Sequence, residues 1–309
     1  MDRQPIEGES GGTIPGAGCP AFTLRCPAGA PLPVLIAAPH GGRAYPGEVL
    51  AALRDPRLAQ LRLEDRHCDH LADAVAAQTG AALLVAHAPR AMLDLNRAPD
   101  DVDWSMIAEG PPPGARHSLA NRRARSGLGL VPRRLPGHGE LWKHRIVRAA
   151  LDARVAGIHA PYHAALARAL ADLRDRWGAA LLIDLHSMPP LRARHAGERP
   201  GEFVIGDRFG ASCDSALVGH AFAWFEAQGR VAVHNRPYAG GYVLDRHAAP
   251  ARGVHALQVE VCRASYLDAR LAEPSGRLPG MIRTLAGLVR ALAAEVAALG
   301  GGRLRLAAE

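Results

Sequence analysis

Two histidines stand in equivalent places. His40 follows the run from Val34 to Pro39, and His186 follows Leu181-Leu182-Ile183-Asp184-Leu185. Each ends a short apolar run that reads as a buried strand, and in open α/β sheets ligands bind beyond the carboxyl ends of the strands. Neutral imidazole suits zinc, and a catalytic zinc site takes a third protein ligand plus water. A lone histidine in such a place is most often structural; a matched pair makes a metal centre a reading of equal weight. The third ligand is sought in the segment Leu63 to His70, which offers several acids. Asp65 and Asp69 share a helical face at i, i+4, although acids near a helix start are also ordinary partners of the helix dipole.

Other residues are weighed in the same way. Glu260 lies in the apolar run Ala256 to Cys262, where Gln258 and Glu260 share one face and Leu257, Val259 and Val261 the other. A carboxylate there needs a reason to be buried. Either it forms a salt bridge with Arg263 or another arginine, or it acts as a general base beside a metal. Arg90 and the run Asp94-Leu95-Asn96-Arg97 also follow an apolar stretch. Arginine forks carboxylates, and asparagine adds a hydrogen bond, whereas ordinary surface arginines are the plainer reading. His163, after Pro161-Tyr162, reads as a polar group at a helix break facing a cleft. Asn235, Tyr238 and Gly241 fall in a Gly-rich turn that lets the backbone approach a ligand. P-loop and dinucleotide spacings are missing, and Ser187 has no G-x-S-x-G elbow around it.

These residues must be positioned by a regular frame. Apolar runs predict strands at 33–38, 81–86, 179–183, 203–205, 241–244 and 255–261. Periodicity predicts helices over 58–79, 142–176 (broken near Pro161), 211–228 and 276–298. Strands separated by helices imply an α/β fold with a mostly parallel sheet. Residues 1–30, rich in Gly and Pro, read as an N-terminal tail or edge segment. Residues 31–309 read as one domain, and the Pro- and Arg-rich stretch at about 98–140 as a loop insertion or lid.

Composition narrows the class. The 309 residues are 48% apolar and 22% charged, a globular balance, and the 5% aromatic content leaves the core to Ala, Leu, Val and Ile. Lys143 is the sole lysine, so the net charge of +7 comes from arginine, which weakens any reading of that charge as nucleic-acid binding. The five cysteines are scattered, without a C-x-x-C pair, which argues against a disulfide framework and for a reducing cytoplasm. A signal-peptide h-region and a bilayer-length apolar run are not expected.

Taken in order, the motifs PHGG (39–42), EDRHCD (64–69), R-x-x-x-D-L-N-R (90–97), PYH (161–163), DLHSMP (184–189), GDRFGASCD (206–214), NRPYAGGY (235–242) and HALQVEVCR (255–263) resemble the N-formylglutamate amidohydrolase family over about residues 33–270. Gly41 departs from that pattern, where serine is expected. The resemblance implies a three-layer α/β/α sandwich around a mostly parallel mixed sheet, similar to zinc exopeptidases and aspartoacylase-like enzymes. It implies one divalent metal, Zn2+, on His40, Asp65 and His186. It makes Glu260 the acid/base and Arg90 a group for the oxyanion or the substrate carboxylate. Asn96 and Arg97 become carboxylate readers, with His163, Asn235, Tyr238 and Gly241 around the substrate. The partner it implies is a small anionic amino-acid derivative, neither nucleic acid nor membrane. A hydrolase of another N-acyl amino acid, or an arginine-rich anion-binding protein without catalysis, are the alternatives.

Overall fold

The computed structural model describes residues 8–114, 122–193, 195 and 197–301. Eight strands form one sheet: β1 (Glu9–Gly11), β2 (Phe22–Arg25), β3 (Val34–Ala38), β4 (Ala82–Ala86), β7 (Ala180–Met188), β8 (Phe203–Gly206), β9 (Ala232–His234) and β10 (Val254–Cys262). β5 (Arg134–Leu135) and β6 (Gly139–Glu140) make a separate small ribbon. The order is β1-β2-β4-β3-β7-β10-β8-β9, with β4, β3, β7 and β10 parallel in the centre, β1, β2 and β4 paired antiparallel at one side, and β8 antiparallel to β10 but parallel to the edge strand β9 at the other. The central strands β3, β7 and β10 are buried along their whole length, as strands covered on both faces must be.

Helices supply the cover. They are α1 (Gly47–Ala52), α2 (Pro56–Leu63), α3 (Cys68–Thr79), α4 (Arg122–Arg125), α5 (Arg148–Arg154), α6 (Ala160–Trp177), α7 (Ser215–Ala227), α8 (Tyr242–His247) and α9 (Leu278–Leu299). One core packs α6, α8 and the shorter α1, α2 and α5 against Leu35, Leu84, Leu182 and Ala256. The other packs α3, α7 and α9 against Ile36, Leu83, Ile183 and Val259. α9 shows why the chain takes this shape. Leu285, Leu288, Val289, Leu292 and Val296 fall at helical spacing and form the buried stripe. The result is the expected α/β/α sandwich around a mixed sheet.

Several elements differ from expectation. The segment 58–79 is two helices, α2 and α3, because Glu64 is extended (φ −71°, ψ 141°) and His67 is left-handed (φ 56°). Asp65 therefore lies in a break and shares no helical face with Asp69. Residues 241–244 form the start of α8, not a strand. The helical region expected from residue 142 opens only at Arg148. It stays helical past Pro161 by widening to one π-turn at Val155–His159. The N-terminal segment is an edge: β1 pairs with β2, and β2 with β4. Its residues 1–7 lie outside the described ones, as do 115–121 of the 98–140 stretch. That stretch is rooted in the core through Val102, Met106, Ile107, Leu130 and Val131.

The turn after β3 leaves no room for a side chain. A Cβ on Gly42 would overlap the Ala88 carbonyl oxygen and lie 2.5 Å from the His87 carbonyl carbon, both rigid backbone atoms. Gly42→Ala is expected to cost about 1–3 kcal/mol by overpacking in urea unfolding. An unchanged midpoint would show that this turn does not hold the β3 end against the β4 end.

Candidate active site

The chemistry gathers at the carboxyl ends of β3, β7 and β10. β7 and β10 run in full parallel register, so Gln258 lies beside Asp184 and Glu260 beside His186. All four project to the α6/α8 face, where the apolar side chains earlier in the same strands give way to polar ones. His40 stands in the turn after β3. Asp65 is brought beside it because its backbone N–H donates to the His40 carbonyl (2.9 Å), which stitches the α2–α3 break to that turn.

Both imidazoles are held by carboxylates on their far side. His40 Nε2–H donates to Asp94 Oδ1 (2.8 Å), and His186 Nε2–H donates to Asp184 Oδ2 (2.9 Å). These bonds fix the proton on Nε2 and leave Nδ1 of each ring facing Asp65 Oδ2, at 3.5 Å from His40 and 3.0 Å from His186. His40 Nδ1 is buried and has no hydrogen-bond partner. Two imidazole lone pairs and a carboxylate oxygen aimed at one point fit a divalent cation, and a carboxylate behind each ring is the usual support of a metal-binding histidine. Among the described residues, His40, Asp65 and His186 are the group able to hold a metal ion.

The electrostatics agree. Burial opposes ionisation of Asp65, yet the adjoining imidazoles of His186 and His40 hold its carboxyl well below the usual range. Burial also opposes charge on His186, but Asp184 and Asp65 outweigh it and push the ring well above its ordinary value. The surroundings favour positive charge at this point. Asp94 is likewise kept low, against its burial, by Arg90, Arg97 and His40. Glu260 goes the other way. Burial above all, with the nearby Asp65 and Asp184 charges, pushes it up to about 7, against the pull of His186 and Arg90. It accepts a hydrogen bond from Gln258 Nε2 (2.9 Å), and among the described residues it forms no salt bridge with Arg263.

His40, Asp65, His186, Gln258 and Glu260 line a cavity of about 260 Å³. A profile of the N-formylglutamate amidohydrolase family matches residues 32–267. The chain belongs to that family. N-formylglutamate deformylase of Pseudomonas aeruginosa is 31% identical over 240 residues, 77% of this chain and 83% of that protein. The deformylase of Pseudomonas putida is 32% identical over 241 residues, 77% and 82% of the two chains. The crystal structure of N-formylglutamate amidohydrolase from Ralstonia eutropha superposes with a TM-score of 0.79 at 30% identity, covering 89% of this chain and 98% of that one. The protein is thus a hydrolase acting on an amide bond.

In this amidohydrolase the cavity is lined by His40, Asp65, His186, Glu260, Arg90, Asn96, Arg97, Tyr238 and Gly241. Asn96 is already engaged. Its Oδ1 accepts from Val243 N–H (2.9 Å), and its amide nitrogen lies 3.3–3.5 Å from Gln258, His186 and Asp184. A Cβ on Gly241 would lie 2.5 Å from Asn96 Oδ1, so glycine is what lets this turn close on the site. His163 and Asn235 do not line the cavity. Asn235 is tied to Asp207 by two hydrogen bonds, of 3.0 and 2.7 Å. His163 lies buried beneath the loop that carries Asn96 and Arg97: His247 Nε2–H donates to His163 Nδ1 (2.9 Å), and His163 Nε2–H donates to the Leu95 carbonyl (3.0 Å). His159 donates to the Arg97 carbonyl (2.9 Å).

Sequence reasoning misses the roles of three supporting residues. Asp94 and Asp184 sit inside the family-like motifs, and Asp184 carries the only local signal, its i−2 spacing from His186 on one strand face. Arg263, weighed as one salt-bridge partner for Glu260, instead donates to the carbonyls of Leu61 (3.2 Å) and Glu64 (2.6 Å), to Asp65 Oδ1 (3.2 Å) and to Ser187 Oγ (3.1 Å). It clamps the loop that carries Asp65 onto the ends of β7 and β10.

Asp94→Asn removes the anion that fixes the His40 tautomer, so competition against a chelator is expected to show about 10–100-fold weaker metal binding; undiminished affinity would make Asp94 a bystander. Burial pushes His163 down to about 2 and His247 down to about 3. A histidine kept neutral only when folded gives stability that is full above its unfolded value near 6.5 and is lost as pH falls toward the folded one, about 2 kcal/mol each by pH 5. Unfolding free energies of the parent and His247→Gln should therefore converge between pH 7 and pH 5. Parallel pH curves would refute the neutral cluster.

Proposed function

We propose that the protein is a metal-dependent deformylase that cleaves N-formyl-L-glutamate to glutamate and formate, with zinc held by His40, Asp65 and His186. The observation that carries this reading is the convergence of the two Nδ1 atoms and Asp65 Oδ2 in the same cavity as the buried Glu260. Bound zinc supplies a Lewis acid that polarises the acyl oxygen and lowers the pKa of water to about 7. The chain's own residues do the rest. Glu260, poised to gain and lose a proton near neutral pH, takes the proton of the attacking water as its oxygen bonds to the formyl carbon. It then delivers that proton to the amine nitrogen as the C–N bond breaks, so the acid/base returns to its starting state. Arg90 is locked against Asp94 and presents its remaining guanidinium edge to the cavity, in place to stabilise the oxyanion. Arg97 is held through Nε on Leu128 O (2.9 Å) and Nη1 on Asn96 O (2.7 Å), which leaves Nη2 for the substrate carboxylate.

The same scaffold suits another N-acyl amino acid, and a panel of N-formyl and N-acetyl substrates separates the two. An anion-binding protein without catalysis would have no use for carboxylate-oriented imidazoles aimed at one point. The free state of all five cysteines supports a reducing cytoplasm as the place of action, and none of the described helices is long and apolar enough to cross a membrane. A small anionic substrate, not nucleic acid, fits a cavity of this size.

The test pairs metal analysis with turnover. The parent should bind about one zinc and hydrolyse N-formyl-L-glutamate, and His186→Ala should lose the metal. Glu260→Gln should keep it while kcat falls by about 10²–10⁴. A parent that takes up no metal after zinc loading would sink the reading; turnover surviving in Glu260→Gln would move the base elsewhere.

A further inference from the structure

We propose that Arg62 and Arg123, exposed at the mouth of the cavity, form a second carboxylate station that makes the site select N-acyl amino acids with an acidic side chain. The inference rests on the amidohydrolase reading above and adds the residues that would read the second charge.

Positive charge along the cavity is unmatched at its mouth. Five arginines line the cavity. Arg263 is saturated by carbonyls, Ser187 and Asp65, and Arg90 is paired with Asp94. Arg97 keeps one free nitrogen, enough for a single carboxylate. Arg62 and Arg123 differ from these three. Among the described residues neither side chain has a hydrogen bond or an ion pair, although both line the same cavity as the acid/base and the metal-ligand group. The carboxylates that line it are Asp65 and Glu260, and both are already engaged at the metal site, so no lining acid offsets the two outer cations.

Their backbones are fixed even though their side chains are not. Arg62 lies near the end of α2 beside Leu61, whose carbonyl Arg263 holds (3.2 Å). Arg123 lies on α4, where the next residue's N–H donates to Asp101 Oδ1 (3.0 Å). The Arg123 charge also bears on Arg97, a like-charge approach that an anion between them would relieve. A deep guanidinium edge and a separate outer pair match a ligand with two carboxylates held apart by a short chain. A monoanionic N-acyl amino acid would use the first alone. Guanidinium suits this role because it stays charged and forks carboxylates.

The test uses the full-length, metal-loaded enzyme with N-formyl-L-glutamate and its uncharged isostere N-formyl-L-glutamine. The parent should prefer the glutamate derivative in kcat/KM. In Arg62→Gln and Arg123→Gln that preference should drop about fivefold each, through KM and not kcat, and in the double variant by an order of magnitude or more. Calorimetric binding of glutarate against butyrate gives a readout without turnover: the variants should lose affinity for glutarate selectively. An unchanged preference, or equal losses on both members of each pair, would overturn the station. If the parent hydrolyses neither formyl compound, the deformylase reading fails by itself, and the glutarate-to-butyrate ratio still decides whether the two arginines read a second carboxylate.

Discussion

Three electron-rich atoms, Nδ1 of His40, Nδ1 of His186 and Oδ2 of Asp65, are held facing one another in a buried place, and the rest of the site is organised to keep them so. Such an arrangement is repulsive without positive charge at its focus. Asp94 and Asp184 remove the rings' freedom to turn away by accepting their Nε2 protons. Arg263 removes the freedom of the Asp65 loop by holding two nearby carbonyls and one carboxylate oxygen. The cost of burying these polar groups is offset because almost every one is hydrogen-bonded.

That requirement reaches outward through the fold. The register of β7 and β10 puts His186 beside Glu260, so an imidazole of the candidate metal group and the buried carboxylate proposed as acid/base are neighbours through sheet geometry alone. The α2–α3 helix break exists where Asp65 must reach the β3 turn. His163 of α6, hydrogen-bonded edge to edge with His247 of α8, and His159 just before α6 hold the loop carbonyls of Leu95 and Arg97, beneath the cavity-lining Asn96 and Arg97. The π-turn before α6 brings His159 into that layer.

The legible part of this architecture is what depends on short range. Continuous apolar runs mark β3, β4, β7, β8 and β10, because strands covered on both faces contain little else. The stripe of α9 is visible for the same reason. Residues 241–244 mislead because an apolar run of that length suits a strand or a short buried helix equally, and packing of Val243 and Leu244 against the β10 face chose the helix. The 58–79 segment misleads because a helix break made by a tertiary bond, Asp65 N–H to the His40 carbonyl, leaves no Gly or Pro as a local mark.

By itself the sequence determined the chemical inventory: paired histidines at strand ends, an acid segment between them, a carboxylate within an apolar strand, and the α/β alternation that would bring strand ends to one edge. Local pattern is enough for these, since burial period and residue chemistry are both short-range properties. The tertiary structure decided which acid of Glu64, Asp65 and Asp69 faces the histidines, and that Asn235 and His163 stay off the cavity. It also decided that Arg263 serves Asp65 and not Glu260. Those outcomes depend on which side chains meet across chain separations such as the 121 residues between Asp65 and His186, and no local spacing encodes that meeting. The arginine surplus shows the same division. Its abundance is a property of composition, but the difference between Arg263, clamped by four partners, and Arg62, open to the cavity mouth, belongs to the fold.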